Sequence, residues 1–204
     1  DLLQSDNQIE GLNVTIPYKS KVMDCLDFID PDALSVGAVN VLKINRVGDG
    51  MKVLGFNSDI TGIKDTIAPL MSPSLKNALI LGTGGASKAV RYVLRNLSIN
   101  YTVVSRTSQP DCLTYNEIEP RLYNEIQIII NTTPLGMFPD TKTMPLIRYD
   151  LLRREHILFD LVYNPEITAF LKKGSEKCCT IINGLKMLYS QAEKSWEIWN
   201  NPDY

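Results

Sequence analysis

The sequence predicts an α/β fold in which a doubly wound parallel sheet follows a smaller α/β domain. Short runs of consecutive apolar residues recur between residues 78 and 182, as is typical of buried parallel strands. Helix-like segments separate several of these runs, giving the βαβ alternation of a doubly wound sheet. Two prolines and two serines within residues 68–74 break a helical pattern, so they mark the predicted boundary between the domains.

The first domain is predicted over residues 1–68 and mixes strands with helices. Its strands are expected at residues 11–16, 38–44 and 52–56. The last two strands are joined by Gly48-Asp49-Gly50, which is a turn signal. Its helices are expected at residues 21–29 and 59–67.

The second domain is predicted over residues 74–184 and is followed by a C-terminal helix over residues 185–204. Its strands are expected at residues 78–81, 101–104, 126–130, 158–162 and 180–182. Helices are expected between strands at residues 87–97 and 168–177.

The composition is that of an ordinary globular protein and restricts the kind of partner. The 204 residues are 44% hydrophobic and 22% charged, enough for one large domain or two small ones. A net charge of −2 gives no general attraction to nucleic acid or to anionic membranes. No apolar run approaches the roughly 18 residues of a membrane span. We therefore expect a small-molecule partner, with no nucleic acid and no membrane.

The four cysteines, Cys25, Cys112, Cys178 and Cys179, show neither metal-ligand nor redox spacing. The simplest interpretation is reduced thiols in the cytoplasm, without a metal. The sequence begins with Asp1 and shows no signal peptide, so we expect the N-terminus to be incomplete.

A glycine-rich turn joins the first strand of the second domain to its first helix, with the sequence Gly82-Thr83-Gly84-Gly85-Ala86-Ser87. Glycines here let backbone N–H groups approach a pyrophosphate at the helix N-terminus, where the helix dipole favours an anion. The turn therefore predicts a Rossmann-type dinucleotide site, although similar turns also occur without a ligand.

The end of the next strand indicates which dinucleotide binds. NAD-binding proteins usually place an acidic residue there to bind the ribose 2′-hydroxyl. This chain has Ser105-Arg106-Thr107 instead. A guanidinium can hold a 2′-phosphate through two hydrogen bonds, so the sequence predicts NADP.

Polar residues also follow the other strands of the predicted sheet. Because the carboxyl ends of parallel strands meet at one edge, these residues are expected to line one rim, where ligands bind. They are Asn131-Thr132-Thr133-Pro134-Leu135-Gly136-Met137, Tyr163-Asn164-Pro165 and Asn183-Gly184. Turn formation alone explains Asn164-Pro165 and Asn183-Gly184.

Three other conspicuous residues are assigned no functional role. His156, the single histidine, lies between basic and apolar residues and is expected at the surface or at a strand edge. Trp196 and Trp199 are three residues apart on the C-terminal helix, a spacing that favours packing in the core.

Six motifs in this order resemble the shikimate dehydrogenase family, over nearly the whole chain from residue 11 to residue 199. They are Asn13-Val14-Thr15-Ile16-Pro17-Tyr18-Lys19, Gly37-Ala38-Val39-Asn40, Gly55-Phe56-Asn57-Ser58-Asp59, the glycine turn 82–87, the segment 131–137, and Asn183-Gly184-Leu185-Lys186-Met187-Leu188. The resemblance implies an NADPH-dependent, reversible reduction of 3-dehydroshikimate to shikimate in aromatic amino-acid biosynthesis.

The resemblance also implies roles for individual residues. The catalytic pair is Lys19 and Asp59. Substrate-binding positions fall on Thr15, Asn40, Tyr163 and Gln191. Cofactor-binding positions fall on Gly82, Gly84, Gly85, Ala86, Ser87, Ser105, Arg106, Thr107 and Thr133. The first domain is then the substrate domain, to which the C-terminal helix returns, and two further substrate-binding serines are expected in a strand before Asp1.

The expected chemistry suits these residue types. Hydride transfer to a ketone leaves an alkoxide, and a proton donor such as Lys19 typically accelerates such a step by about 10² to 10⁴-fold. Asp59 is expected to orient Lys19 and to bind a substrate hydroxyl. The structural alternatives are a solvated lysine and a carboxylate that caps the helix beginning near residue 59.

Three other functions remain open from the residues alone. A close relative could use quinate as well as shikimate. A non-catalytic homologue could sense the metabolite or the nucleotide, although it would need no proton donor. The chain could also be one domain of a multifunctional protein. The sequence allows either a monomer or a homodimer.

Overall fold

The computed structural model describes residues 6–48 and 50–204, in which two β-sheets are flanked by helices. Residues 1–5 of the predicted first domain, and Asp49 of the predicted turn, lie outside the described residues. The first sheet has the strand order β1-β3-β4-β2. Its strands are β1 (Gly11–Asn13), β2 (Phe28–Ile29), β3 (Val41–Val47) and β4 (Gly50–Phe56).

The second sheet has six strands, all paired in parallel, in the order β10-β9-β8-β5-β6-β7. They are β5 (Asn77–Leu81), β6 (Asn100–Ser105), β7 (Leu113–Thr114), β8 (Ile128–Asn131), β9 (Ile157–Asp160) and β10 (Thr180–Ile182). The strand order reverses beside β5, which pairs with β6 on one side and with β8 on the other. Ligands bind beyond the carboxyl ends of the strands at such a point. The predicted doubly wound α/β fold is confirmed.

Burial on both faces explains why the strands of the second sheet are apolar without alternation. All four residues of β8 are buried, and Leu79, Ile80 and Leu81 of β5 are fully buried. Parallel sheets covered by helices on both faces have this pattern. In the first sheet β3 and β4 form an antiparallel hairpin, whose register runs from Val41↔Phe56 to Val47↔Gly50.

Five α-helices complete the described part of the fold. They are α1 (Pro31–Val36), α2 (Asp59–Ile67), α3 (Gly85–Asn96), α4 (Ala169–Ser175) and α5 (Leu185–Asn200). Helix α2 packs closely against α5, because Gly62 lies where an added Cβ would be 2.6 Å from the Met187 carbonyl oxygen. The C-terminal helix therefore contacts the helix that begins at Asp59. In the described part of the chain, no helix is both long and apolar enough to span a membrane.

The helix predicted at residues 21–29 is wrong. A short 3₁₀ turn occupies Lys21–Cys25, and β2 follows it. The helix of this region, α1, begins one residue after Asp30, whose Oδ1 accepts hydrogen bonds from the backbone N–H groups of Asp32 and Ala33. It ends at Gly37, which has a left-handed conformation. The cap, the proline at the first position and the terminal glycine were its sequence signals.

Two other expected elements, one strand and one helix, are shorter in the structure. The strand expected at residues 11–16 ends at Asn13. The helix expected to reach residue 204 ends at Asn200. Residues beyond it pack on the first sheet, where the Asn201 carbonyl accepts a hydrogen bond from Lys43 and the Tyr204 ring lies 4.8 Å from the Phe56 ring.

The surface placement of His156 and the core placement of Trp196 are wrong. His156 is only 2% exposed, since both of its ring nitrogens find backbone partners within the second domain. Trp196 is 67% exposed, so it does not pack in the core. Trp199 packs as expected, and its Nε1 donates to the Leu42 carbonyl at 2.9 Å.

Candidate active site

Lys19 and Asp59 form an ion pair at the junction of the two sheets. Lys19 Nζ lies 2.6 Å from Asp59 Oδ2, and the two side chains are 15% and 2% exposed. Lys19 is held from the backbone, because its carbonyl accepts a hydrogen bond from Val39 N at 2.7 Å. Asp59 is the first residue of α2. Both structural alternatives are therefore wrong. Lys19 is not a freely solvated lysine, and the Asp59 carboxylate accepts hydrogen bonds from side chains instead of capping the helix.

Asn40 completes a buried polar cluster with this pair. Its Nδ2 donates to Asp59 Oδ1 at 3.0 Å and to Ser58 Oγ at 3.1 Å. Its Oδ1 accepts from Ser58 N at 2.7 Å. Both carboxylate oxygens of Asp59 therefore receive a hydrogen bond, one from a lysine and one from an amide.

The other predicted substrate-binding residues lie on three separate elements. Thr15 is exposed in the turn after β1, where its carbonyl accepts from Tyr18 N. Gln191 is partly buried on α5. Tyr163 is 47% exposed in the loop after β9. That loop is tied to the loop after β8, because Phe138 N donates to the Asn164 carbonyl at 3.1 Å.

The glycine turn takes the geometry expected for a phosphate site. Gly82 has a φ of 111°, which an L-residue rarely adopts, and its N–H donates to the Val104 carbonyl. A Cβ placed on Gly84 would meet no atom within 4 Å, so this residue faces open space. Gly85 and Ala86 begin α3, and Ser87 is fully buried. Among the described residues the Ser87 hydroxyl has no hydrogen-bond partner.

The segment after β6 presents Arg106 and Thr107 to solvent. Ser105, by contrast, is 3% exposed, and its hydroxyl accepts from Thr107 N and from Gln109 Nε2 at 3.2 and 3.0 Å. Ser105 therefore shapes the loop that carries Arg106. Burial raises the pKa of Tyr115, and the Arg106 charge opposes that effect.

Thr133 is fixed by a hydrogen-bond network that sequence reasoning did not find. Its N–H and hydroxyl both donate to Asn131 Oδ1, at 3.1 and 2.6 Å. Asn131 Nδ2 in turn donates to Asp160 Oδ1 at 2.9 Å. Asp160 also accepts from Val162 N and from the Thr168 hydroxyl. One carboxylate therefore anchors both the β8 loop and the β9 loop.

Burial controls the ionisation of this anchor. The side chain of Asp160 is fully buried, and burial raises its pKa to about 6, although its three hydrogen-bond donors act in the opposite direction. The position of Asp160 at the end of an apolar strand run was the sequence signal for this residue.

The glycine turn and the Lys19 cluster face each other. A Cβ on Gly85 would lie 3.4 Å from Cβ and Cδ of Lys19. One turn further along α3, Lys88 Nζ donates to the Gly37 carbonyl and to the Ser20 hydroxyl, at 3.0 and 3.1 Å. The start of α3 is thus tied to the turn that carries Lys19.

Within the described residues, no three His, Cys, Asp or Glu side chains are grouped so as to hold a metal ion. The four cysteines are free thiols in this part of the chain.

Comparisons with known proteins agree with this geometry. Residues 2–42 match the family described as the shikimate dehydrogenase substrate binding domain. An NADP(+) shikimate dehydrogenase from Methanococcus aeolicus is 38% identical over 205 residues, which cover 93% of this chain and 72% of that relative.

Solved structures show the same architecture. Shikimate dehydrogenase from Aquifex aeolicus aligns with a TM-score of 0.83 at 30% identity, covering 97% of this chain and 74% of the other. The enzyme from Thermus thermophilus, solved in complex with NADP(H) and shikimate, aligns with a TM-score of 0.82 at 28% identity and covers 98% and 76%. From its similarity in sequence over most of both chains, and from its two-sheet architecture, the chain belongs to the shikimate dehydrogenase family.

Proposed function

We propose that the chain catalyses the NADP-dependent, reversible reduction of 3-dehydroshikimate to shikimate, a step of aromatic amino-acid biosynthesis. The observation that carries this proposal is the approach of Gly85 to Lys19, where an added Cβ would lie 3.4 Å from the lysine side chain. A phosphate-binding turn and a proton-donating lysine then share one cleft. A nucleotide-dependent oxidoreductase acting on an alcohol needs a nucleotide site and a proton donor, and this cleft offers both.

Lys19 is the proposed general acid of the reduction. When bound, NADPH supplies the hydride, and Lys19 Nζ gives a proton to the carbonyl oxygen that becomes a hydroxyl. In the reverse direction the same nitrogen accepts the proton. Asp59 holds the ammonium at 2.6 Å, so the proton is presented from a fixed position.

Substrate hydroxyls are proposed to bind to Thr15, Asn40, Tyr163 and Gln191. Asn40 donates both of its amide hydrogens, to Ser58 and Asp59, so only its oxygen can contact the substrate. That oxygen accepts from Ser58 N, which leaves one lone pair for a substrate hydroxyl. The Thr15 hydroxyl can both donate and accept.

The nucleotide is proposed to bind across the carboxyl ends of β5 and β6. Gly82, Gly84, Gly85 and Ala86 would bring backbone N–H groups to the pyrophosphate at the start of α3. The buried Ser87 hydroxyl, which lacks a partner among the described residues, supports a polar ligand there. Arg106 and Thr107 would bind the 2′-phosphate, Ser105 would hold their loop, and Thr133 would contact the nicotinamide end.

The domain division follows from these assignments and is also a proposal. Residues 1–68 would form the substrate domain, residues 74–184 the nucleotide domain, and α5 would close the cleft from the C-terminal side. The free thiols support a reducing compartment, which we take to be the cytoplasm. We propose that the protein acts on small molecules as a monomer or a homodimer.

The test is shikimate-dependent reduction of NADP⁺ by the protein and by its Lys19→Ala variant, with NAD⁺ and quinate assayed in parallel. We expect activity with shikimate and NADP⁺, and a fall in kcat of about 100-fold or more in the variant. Lys21→Ala is the matched control, because Lys21 is exposed two residues further along.

Two results would overturn the proposal. One is a wild-type protein that binds NADP⁺ and yet oxidises neither alcohol with either nucleotide, which would indicate a regulatory protein. The other is an equal loss of activity in the Lys19 and Lys21 variants, which would remove Lys19 from the chemistry.

A further inference from the structure

Two buried serines lie behind the Lys19–Asp59 pair, and the proposed reaction does not use them directly. Ser58 is 0% exposed and Ser195 is 2% exposed. Their hydroxyl oxygens are 3.1 Å apart, although Ser58 precedes α2 and Ser195 lies on α5. This contact joins the C-terminal helix to the residue beside Asp59.

The amide of Asn40 determines which serine donates. An amide nitrogen has two hydrogens, and Asn40 Nδ2 donates one to Asp59 Oδ1 and the other to Ser58 Oγ. Ser58 Oγ is therefore an acceptor from Asn40, and its own hydrogen must go elsewhere. The oxygen of Asn40 is a poor choice at 3.4 Å, since it already accepts from Ser58 N at 2.7 Å.

The hydrogen of Ser58 consequently goes to Ser195. Ser195 then donates its own hydrogen to the Gln191 carbonyl at 2.8 Å, or to Asn13 Oδ1 at 3.3 Å, and the shorter contact is favoured. The donors run in one direction, from Asn40 through Ser58 and Ser195 to the backbone of Gln191. Asn40 has no freedom to reverse its amide, because a reversed amide would place its oxygen against the Asp59 carboxylate.

We propose that Ser58 and Ser195 are positioning residues, which fix the Asn40 amide and couple the C-terminal helix to the Lys19–Asp59 pair. This inference rests on the proposed function of that pair. The chain of hydrogen bonds begins at the carboxylate that holds Lys19 and ends at Gln191, the proposed substrate contact on α5. The C-terminal helix and the proton donor are then aligned by one buried network.

The experiment compares Ser195→Ala, Ser58→Ala and the double variant with wild type. Thr66→Val is the matched control: Thr66 is 4% exposed, and its hydroxyl donates to the carbonyl four residues earlier at 2.8 Å, as Ser195 does. Thr66 is on α2 but not in the hydrogen-bond chain. We measure kcat, the KM values for shikimate and NADP⁺, and thermal unfolding.

We expect Ser195→Ala to lower kcat/KM for shikimate by about threefold to tenfold, the effect of one buried hydrogen bond. The KM for NADP⁺ should not change, because this chain of hydrogen bonds includes no residue proposed to bind the nucleotide. Thr66→Val should lose similar stability and keep its kinetics. The double variant should be no worse than Ser58→Ala, since that variant already interrupts the chain. Ser195→Cys, a poorer donor of similar size, should change kcat/KM in the same direction by less.

Three kinetic results would overturn the inference. The first is that Ser195→Ala has the same kinetics as Thr66→Val. The second is that the losses of kcat/KM in the two single serine variants multiply in the double variant. The third is that the KM for NADP⁺ rises as much as the KM for shikimate. Hydrogen exchange of the Asn40 side-chain amide, followed by NMR, tests the chain of hydrogen bonds without an activity assay. We expect slow exchange in wild type and at least tenfold faster exchange in Ser195→Ala. Wild-type inactivity with shikimate would reject the proposed function, whereas unchanged exchange would reject this inference.

Discussion

Asp59 binds Lys19 Nζ at 2.6 Å through a carboxylate that is only 2% exposed. Its other oxygen accepts from the Asn40 amide at 3.0 Å, so the carboxylate receives a donor on each side. No neutral side chain of the same shape can do this. The pair is therefore the most sensitive point of the proposed site.

Asp59→Asn should be damaging although it preserves shape. An amide has one oxygen and one nitrogen, so either Lys19 or Asn40 would face another donor. We expect kcat to fall by about 100-fold or more. We expect the free energy of unfolding, measured in urea, to fall by about 1–3 kcal/mol. Asp65→Asn, an exposed change on the same helix, should leave both quantities near wild type. Full activity in Asp59→Asn would reject the proposed role.

Arg106→Ala should weaken NADP⁺ binding selectively. Arg106 is exposed after β6, and its guanidinium is the proposed partner of the 2′-phosphate. Loss of a charge-assisted contact should raise the KM for NADP⁺ by about 10- to 100-fold. The KM values for NAD⁺ and shikimate should stay the same. Arg95→Ala, an exposed arginine in the last turn of α3, is the control. An equal rise in both nucleotide KM values would place Arg106 outside the 2′-phosphate site.

The doubly wound sheet was predictable because its strands are buried on both faces, which leaves uninterrupted apolar runs such as Ile128, Ile129 and Ile130 of β8. The short helix Pro31–Val36 was missed, since six residues carry little periodicity and its caps were the stronger signal. The role of Asp59 was predicted only through the resemblance to the shikimate dehydrogenase family, because its local sequence is equally typical of a helix cap.

Contacts between distant residues were not predictable in the same way. Ser58 and Ser195 meet across 137 residues, and nothing in either local sequence indicates the other. His156 lies in a charged stretch, yet it is buried, and its Nε2 contacts the Tyr123 carbonyl 33 residues earlier. Such environments are set by tertiary packing rather than by local pattern.

His156 should make the fold less stable in mild acid. Its Nδ1 accepts from Arg153 N at 2.9 Å, so Nε2 carries the hydrogen that goes to the Tyr123 carbonyl. Burial lowers the pKa of His156, the Tyr123 carbonyl opposes this, and the Arg153 charge adds to it. The unfolded chain therefore binds this proton more tightly, and the free energy of unfolding should fall as pH drops below about 6.5.

His156 is the single histidine of the sequence, so its Hε1 ring hydrogen can be followed in an NMR titration without overlap from another histidine. We expect the midpoint in the folded protein to lie below 6.5, and to rise when the protein is unfolded in urea. A folded-state midpoint at or above the unfolded one would contradict the role of burial.

Asp160 should make the fold less stable as pH rises, the opposite of the effect of His156, and Asp160→Asn should remove this pH dependence. Burial raises the pKa of Asp160 from 3.8 to about 6. Between these values the unfolded carboxyl has lost its proton while the folded one keeps it, so rising pH favours unfolding. The difference corresponds to roughly 3 kcal/mol. The stability of the variant relative to wild type should therefore increase from pH 4 to pH 7 by about that amount.

The hydrogen bonds of Asp160 allow this replacement. An amide oxygen can accept from Asn131 and Val162, as Oδ1 does at 2.9 and 3.0 Å. The amide nitrogen can donate to the Thr168 hydroxyl, whose oxygen has lone pairs for it and for Leu171 N. The KM for NADP⁺ should thus stay close to wild type. Urea unfolding of both proteins across this pH range checks the effect, and a stability difference that does not vary with pH would show that Asp160 is already ionised in the folded state at pH 4.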